Sequence, residues 1–335
     1  MKGQSARFLL ITLVFSCSVG LLYGWGFWAH QRINRAAIFA LPEEMRRFFY
    51  NHIDFISEES VIPDVRKYAI NDKAEPNRHY IDLELLQRTP GETIPQTFKE
   101  AIAKYGDSLI QKSGLLPWYI DTIMTKLTKA FRDKSKPEIL FLAADLGHYI
   151  GDAHMPLHTT VNHDGQLTGQ KGIHALWESY LPEKFGTNYN FHTGDAIYIN
   201  EIKKEIWRII GNSHKLVDSV LIIQRRLNSQ FPAGEVYQKD AAGNIIKNKF
   251  NQSVYSLAYA GKYNEMLNGM VESQLRLSIS ATANFWYTAW VNAGKPNIDD
   301  LDPSALTKRN SKNYKSELKL WKKGQLFGLK TGNEF

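Results

Sequence analysis

The chain has 335 residues, of which 43% are hydrophobic and 22% are charged, so it can bury a core sufficient for one large domain or two smaller ones. Its formal net charge is +7, but residues 1–24 contribute +2 and residues 308–335 contribute +6, which leaves the segment between them at −1. The charge therefore excludes a uniformly basic body, and it does not identify a substrate.

The first 24 residues have the pattern of a secretory signal peptide. Lys2 and Arg7 precede an apolar run over residues 8–15, and small residues follow. The run is too short to span a bilayer as a finished helix, so a signal peptide is favoured over a retained membrane anchor. Cys17 is the only cysteine and is an alternative lipid-attachment site, which would give an anchored lipoprotein. We therefore expect export to the periplasm or the extracellular space, after which the mature chain contains no disulfide.

The segments that follow have the 3.6-residue periodicity of helices. Residues 33–53 have it with a break at Pro42, and residues 97–111 and 116–133 continue it. Residues 136–154 are apolar on nearly every side, which predicts a buried helix that ends before Pro156.

Two further helices are predicted over residues 213–231 and 263–294, and residues 233–250 between them contain a turn signal that predicts a small β-hairpin. No repeat and no strand–helix alternation is evident. The sequence therefore predicts an all-α fold, with a single multi-helix domain over residues 25–296. Residues 297–335 form a basic C-terminal tail, which is interpreted as a solvated end rather than a binding arm.

The stretch "GHYIGDAHMPLH" (147–158) contains the first candidate site. His148 and Asp152 are four residues apart, so one face of a helix presents both, and His158 follows after Pro156. A second pair with the same spacing, His174 and Glu178, occurs in "GIHALWESY". One such histidine alone would be read as a core residue, but two buried pairs need compensation for their ionisable groups. Zinc binds imidazole nitrogen and carboxylate oxygen and would supply that compensation.

Two earlier segments supply further candidates. "IPDVRKYAINDKAEPNRHYID" contains Asp64 and His79, and "WGFWAHQRINR" contains His30 five residues after Trp25. By themselves, Asp64 and His30 would be interpreted as surface residues or helix caps.

These motifs occur in the order seen in the superfamily of S1/P1 nucleases and bacterial zinc-dependent phospholipases C. The residues that carry the resemblance are Trp25, His30, Asp64, His79, the element "HYIGDAHMPLH", His174 and Glu178. The resemblance extends over residues 25–178, and "ANFWYTAWVNAG" is similar to the closing helix of that fold. It implies a trinuclear zinc site, with three zinc ions in each chain.

The resemblance also implies how the ligands are divided. One zinc is held by Asp64, His79, His148 and Asp152. A second is held by His158, His174 and Glu178. The third is held by the α-amino nitrogen and carbonyl of Trp25 and by His30, and it shares Asp152. An α-amino ligand at Trp25 requires cleavage after Gly24, which favours the signal peptide over lipidation at Cys17.

A zinc cluster of this kind predicts hydrolysis of a phosphodiester by a zinc-bound hydroxide. Asp64 and Asp152 are the predicted catalytic residues, since Asp64 could also orient the water and Asp152 bridges two metals. Lys67, or Arg66, is predicted to contact the phosphate or else to be a solvated side chain. Tyr80 and Asp82 are predicted to contact the substrate, which leaves open whether they face a base or a lipid headgroup.

The resemblance leaves two substrate classes. The Trp-x4-His start is similar to the nucleases, whereas Glu178, the missing Gly-Gly-Asn before His174 and the cysteine-free body are similar to the phospholipases C. Phospholipase C activity is therefore favoured over cleavage of single-stranded DNA or RNA. The expected partner is a phospholipid headgroup or a single-stranded nucleic acid, with peripheral membrane contact and no stable protein partner.

Two other functional classes fit the sequence less well than a hydrolase. A non-catalytic protein stabilised by zinc would need closed sites with four protein ligands. A zinc peptidase is disfavoured because the chain has no His-Glu-x2-His. Among the other histidines, His154 is expected to be structural, His163 lies in a polar loop, and no role is assigned to His52, His192 and His214.

Overall fold

A computed structural model describes residues 26–70, 72–87, 89, 92–248, 251–302 and 308–329. Within these ranges the chain folds into α-helices joined by short turns, which confirms the prediction of an all-α, multi-helix domain. The predicted signal peptide and Trp25 lie outside the described residues. None of the described helices is both long enough and apolar enough to cross a membrane.

The first half of the domain contains eight helices among its described residues. These are α1 (Phe27–Ala40), α2 (Glu43–Asn51), α3 (Ile53–Glu59), α4 (Ile62–Ala69), α5 (Leu83–Leu86), α6 (Phe98–Tyr105), α7 (Asp107–Ser113) and α8 (Leu116–Arg132). The break predicted at Pro42 separates α1 from α2. The helix predicted over 97–111 is interrupted, because Gly106 has a φ of 79° and ends α6.

The second half, in its described part, contains the other eight helices. These are α9 (Lys136–Ala153), α10 (Ile173–Ala175), α11 (Leu181–Phe185), α12 (Ile202–His214), α13 (Val217–Gln230), α14 (Leu257–Met266), α15 (Met270–Asn292) and α16 (Lys308–Trp321). A π-helical turn, Leu176–Tyr180, joins α10 to α11. Single 3-10 turns lie at Pro76–Arg78, Pro156–Thr159, Gly186–Asn188, Ala233–Glu235 and Asp299–Leu301.

Two predicted helices have different boundaries in the structure. The helix predicted over 213–231 begins at Val217, because residue 213 belongs to the end of α12. The helix predicted over 263–294 is two helices, α14 and α15. Asn268 and Gly269 between them have φ values of 49° and 77°, and this left-handed backbone cannot continue a right-handed helix.

The segment predicted as a hairpin makes isolated antiparallel bridges rather than a sheet. Lys239 pairs with Ile245 around the predicted turn. A second turn follows, and the bridges Lys247–Ser253 and Tyr237–Tyr255 fold the segment back on itself. The hairpin is therefore present in reduced form, with one more turn than the sequence pattern indicated.

The centre of the domain is formed by α1, α8, α9 and α15, which pack against one another. Phe49 of α2 stacks on Trp286 of α15 with ring centroids 5.1 Å apart. The Trp286 indole N–H donates to the carbonyl of Ala143 on α9 at 2.9 Å, so its one polar atom is satisfied in the core. Burying side chains of this size stabilises the fold by about 1.5–3 kcal/mol each.

A buried asparagine joins three helices behind the site. The Asn34 amide on α1 donates to the carbonyls of Ile56 on α3, at 3.2 Å, and of Ala144 on α9, at 3.0 Å. Gly147 of α9 faces the same side chain so closely that a Cβ there would overlap the Asn34 Oδ1. The close approach of α1 and α9 therefore requires a residue without a side chain at position 147.

Part of the basic tail packs against the domain. Glu317 of α16 accepts from Arg35 at 2.9 Å and from the Tyr50 hydroxyl at 2.6 Å. Trp321 is buried at the end of α16. The Leu326 backbone N–H donates to the Asn190 side-chain oxygen, and the Leu326 carbonyl accepts from the Phe191 backbone N–H. The interpretation of the tail as a solvated end is therefore wrong for residues 308–329.

Candidate metal centre

Asp152, near the end of α9, lies at the centre of four histidines. Its Oδ1 is 3.5 Å from His30 Nε2 and 3.3 Å from His158 Nδ1. Its Oδ2 is 2.9 Å from His79 Nδ1 and 3.2 Å from His148 Nε2. Because Asp152 and these histidines are buried, the carboxylate faces imidazole nitrogen on every side and not water.

Asp64 adds a second buried carboxylate on the α4 side of the same cavity. Its Oδ1 is 3.5 Å from His79 Nδ1 and 3.8 Å from His148 Nε2, and Lys67 donates to it at 2.8 Å. Burial opposes ionisation, but the charges of Lys67 and His148 outweigh it and lower the pKa of Asp64. Asp64 and Asp152 are therefore both anionic, and both face His79 and His148.

His158, His174 and Glu178 form a neighbouring group. Glu178 Oε2 is 3.1 Å from His174 Nε2 and 3.5 Å from His158 Nε2. The spacing of four residues predicted this pair, although Glu178 lies in the π-helical turn and not in a regular α-helix. His158 joins the two halves of the centre, since its other ring nitrogen faces Asp152.

Hydrogen bonds on the far side of three rings direct their lone pairs into the centre. His148 Nδ1 donates to the Ser60 carbonyl at 2.8 Å, and His174 Nδ1 donates to the His163 carbonyl at 2.9 Å. His79 Nε2 donates to the Glu75 carboxylate at 3.2 Å. The ring nitrogen opposite each donor faces a carboxylate oxygen, and in the neutral ring it presents a lone pair. Burial opposes protonation of these rings, but the facing carboxylates raise the pKa of His148 and raise that of His174 to about 9, so without a metal a proton occupies this position.

Lone pairs facing carboxylates repel unless a proton or a cation lies between them. His148 Nε2 is 3.0 Å from His79 Nδ1, which also brings two ring nitrogens together. Several buried atoms here have no hydrogen-bond partner, namely both ring nitrogens of His30, Asp64 Oδ2, Asp152 Oδ1, His158 Nδ1 and Glu178 Oε2. Unsatisfied buried acceptors are costly, and a metal ion satisfies nitrogen and carboxylate donors together.

Three groups of described residues have the geometry to hold a metal ion. They are His30, His148 and Asp152; Asp64, His79 and His148; and His158, His174 and Glu178. Within each group the ligand atoms lie within 4.8 Å of one another. Burial and the charge of His148 lower the pKa of His30 to about 4, so this ring is neutral at pH 7 as a metal ligand must be. The centre could therefore bind metal ions.

Every described residue of the predicted ligand set belongs to one of these groups. The α-amino ligand predicted at Trp25 lies outside the described residues and stays a prediction. The next residue, Gly26, donates its backbone N–H to the Glu178 carbonyl at 3.2 Å, which fixes the start of the described chain beside the centre.

Glu75 is a buried residue of this region that the sequence did not single out. Besides His79, it accepts from the Tyr149 hydroxyl and from Arg78, the latter at 2.7 Å, and Arg66 Nε lies 3.4 Å away. Burial opposes its ionisation, but the hydrogen bonds from His79 and Tyr149 and the charge of Arg66 hold its pKa at about 2. Glu75 therefore stays anionic and fixes the His79 ring.

Because Glu75 orients a candidate ligand, its replacement should weaken metal binding. We expect Glu75→Ala to lower metal affinity about 10–100-fold, the usual cost of losing a partner behind a metal-bound histidine, and Glu75→Gln to lower it less because an acceptor remains. Competition with a chromophoric chelator measures the affinity. Glu272→Gln is the matched control, since that carboxylate accepts one backbone N–H at 3.0 Å away from the centre. Equal affinities in Glu75→Ala and wild type would contradict this role.

The two basic residues considered for phosphate contact have different surroundings. Lys67 donates to Asp64 at the centre, and its side chain is 16% exposed. Arg66 instead donates to Asp145 at 2.7 Å and lies beside Glu75, within the network behind His79. Lys67 is therefore the one placed to reach a molecule bound at the centre.

Tyr80 and Asp82 lie in a segment that contacts the group of His158, His174 and Glu178. Ile81 between them donates its backbone N–H to the His158 carbonyl at 2.9 Å, which holds this segment against the centre. Both side chains are half-buried. Burial and the charge of Glu84 raise the pKa of Asp82 to about 6. Their location is compatible with the predicted contact to a substrate.

The other histidines lie outside the three groups. His154 is buried on the far side of α9 and donates to the Ile150 carbonyl at 2.8 Å, and burial lowers its pKa to about 4. His163 contributes its backbone carbonyl to His174. The remaining three, for which the sequence suggested no role, are His52, His192 and His214.

A scan of the chain against protein-family models finds no match, and a search of curated proteins finds none that matches. The arrangement of the centre is therefore the main basis for a functional proposal.

Proposed function

We propose that this chain is an exported zinc-dependent phosphodiester hydrolase of the phospholipase C type. The observation that carries the proposal is the set of buried histidine ring nitrogens that face Asp64, Asp152 and Glu178. An arrangement of this kind is unfavourable without cations, and close metal ions are suited to in-line displacement at phosphorus.

Zinc is proposed as the metal because the donors are imidazole and carboxylate in groups of three. Calcium and magnesium prefer oxygen ligands, and the high share of nitrogen disfavours both. The proposed division of ligands is the one implied by the resemblance to the S1/P1 nuclease and phospholipase C superfamily. It places three zinc ions in the centre, with Asp152 shared and Trp25 supplying the last ligands.

Bound zinc would supply an acidic water and neutralise charge on the phosphate oxygens. The residues of the chain would then position the reactants. Asp64 Oδ2, which has no hydrogen-bond partner, is available to accept a hydrogen bond from the attacking water. Lys67, anchored on the other oxygen of Asp64, is available to a phosphate oxygen. Tyr80 and Asp82 would contact the group attached to the phosphate.

A purely structural role for the metal is the competing proposal. The group of His158, His174 and Glu178 contributes three protein ligands, and a structural zinc site normally has four. A fourth position is then open to water or substrate, as in catalytic sites. This count supports a hydrolase over a zinc-stabilised binding protein.

The substrate class is proposed from the resemblance. Glu178, where the nucleases typically have Asp, and the absence of Gly-Gly-Asn before His174 favour a phospholipid over single-stranded nucleic acid. Export is proposed to follow cleavage after Gly24, which frees the Trp25 amine, and an anchor at Cys17 is the alternative. The proposed contact with a membrane is peripheral.

The test is side-by-side hydrolysis by residues 25–335 on phosphatidylcholine vesicles and on single-stranded DNA and RNA, with and without a chelator. We expect release of phosphorylated headgroup that the chelator abolishes and zinc restores. His148→Ala should lose this activity, whereas the control His192→Ala should keep it. Release of nucleotides alone would replace the phospholipase proposal with a nuclease, and no bound zinc with no hydrolysis would refute the hydrolase.

A further inference from the structure

Helix α16 and the turn that follows it present five exposed lysines. They are Lys312, Lys315, Lys319, Lys322 and Lys323. At 3.6 residues per turn Lys312, Lys315 and Lys319 fall within about a sixth of the helix circumference, and Lys322 and Lys323 follow in the turn. Together these five lysines define a lysine stripe, and residues 25–307 have a net charge of only −1.

The opposite side of α16 is fixed to the domain. Tyr314 packs on Tyr50 with ring centroids 4.6 Å apart, and Trp321 stacks on Phe39 at 6.1 Å. Glu317 is held by Arg35 and Tyr50. The helix is thus docked in one orientation, and that orientation turns the lysine stripe to solvent.

Within the described ranges, no acidic side chain neutralises the lysine stripe. The only acidic residue among the described residues of α16 and its C-terminal extension, Glu317, is turned inward. Among the described parts of the chain, no carboxylate lies within 4.0 Å of the stripe's ammonium groups. A dense row of unpaired ammonium groups attracts an anionic surface, since ordinary surface lysines are interspersed with acids.

Two exposed apolar side chains lie close in sequence to the lysines of the stripe. Leu320 lies next to it on α16 and is 39% exposed, and Phe327 of the extension is 50% exposed. The backbone of Leu326 is fixed to Asn190 at 2.9 Å, so the position of Phe327 is set by the fold. The boundary between lipid headgroups and acyl chains accepts both an exposed leucine and an exposed phenylalanine, whereas a nucleic acid offers a stacking partner to the phenylalanine but no apolar environment to the leucine.

We propose that the lysine stripe with Leu320 and Phe327 is a docking surface for an anionic lipid bilayer. The lysines bind lipid phosphates and carboxylates at the surface, and the two apolar side chains insert at the level of the headgroups. This surface is distinct from the metal centre, and binding through it requires no hydrolysis.

The test is co-sedimentation of residues 25–335 with vesicles of phosphatidylcholine and phosphatidylserine in equal parts, and with vesicles of phosphatidylcholine alone. We expect strong binding to the mixed vesicles only, and its loss in 1 M salt, where charges are screened beyond about 3 Å. Lys312→Glu/Lys315→Glu/Lys319→Glu should weaken binding at least about 100-fold, since each lysine near such a surface contributes about fivefold. Leu320→Ser/Phe327→Ser should weaken it severalfold without changing the charge.

The matched control is Lys99→Glu/Lys126→Glu/Lys262→Glu, which changes the net charge equally at exposed lysines of other helices. It should bind nearly as wild type. Equal weakening of vesicle binding by both triple variants would overturn the docking surface. Binding of a single-stranded oligonucleotide is measured in parallel, and a stripe variant that lost it while vesicle binding stayed unchanged would also overturn the docking surface. Headgroup release measured in the same samples reports separately on the proposed hydrolase, so failure of one proposal is not mistaken for failure of the other.

Discussion

Replacement of Asp152 by alanine is expected to lower hydrolysis on the order of 10³-fold and to reduce the bound metal. Its two oxygens face His30, His158, His79 and His148, so this one carboxylate contacts four candidate ligands. Removing it would take away the carboxylate that is proposed to be shared by two metal ions, and losing about 4 kcal/mol of metal-assisted stabilisation of the transition state corresponds to about three powers of ten in rate. Steady-state assays together with elemental analysis measure both effects.

Asp145 supplies the control on the same helix. It belongs to none of the three groups, and its largely buried carboxylate, which accepts from Arg66 at 2.7 Å, is connected to His79 only indirectly, through Arg66 and Glu75. Asp145→Asn should therefore retain its metal content even if it unfolds more readily. If Asp152→Ala kept full metal content and activity, the centre described above would not be the active site.

Removal of metal from the wild-type protein is expected to lower its melting temperature by about 10 °C. Asp64, Asp152 and Glu178 are buried in one centre, and without metal ions their charges are compensated by the histidines and by Lys67. A ligand at a thousand times its dissociation constant stabilises the native state by about 4 kcal/mol, which corresponds to 2–4 °C per kcal/mol in domains somewhat smaller than this one. Calorimetry before and after dialysis against a chelator measures the difference.

Restoration by zinc and the behaviour of Asp152→Ala complete this experiment. Zinc should return the wild-type melting temperature, while the variant should respond weakly to both chelator and zinc. A wild-type protein with bound zinc whose melting temperature ignored the chelator would show that the metal does not contribute to folding stability.

The sequence predicted the local part of the site well. The pairs His148–Asp152 and His174–Glu178 follow from the four-residue spacing, which places both side chains on one helical face. His30, Asp64 and His79 come from separate segments, and only their resemblance to a known order linked them to these pairs. In the structure these three residues lie beside His148 and Asp152. Zinc as the metal is a proposal.

Other features could not be derived from local patterns. Glu75 lies in an irregular turn, so no periodicity distinguished it from a surface carboxylate. Helix boundaries at Gly106 and Gly269 depend on left-handed backbone, which an apolar periodicity does not report. The docking of α16 depends on Glu317 meeting Tyr50, a contact between residues 267 positions apart. The composition showed that the tail is basic, but it did not show which part of the domain the tail packs against.

The contact between Asn34 and Gly147 limits how this sequence can diverge. Each residue limits the size of the other, since the Asn34 amide that joins α1, α3 and α9 occupies the position where a side chain at 147 would lie. Neither position is free to enlarge alone. Among natural or selected variants of the chain, a larger residue at 147 should appear only with a smaller one at 34, so the two positions would covary although neither contacts a metal or a substrate.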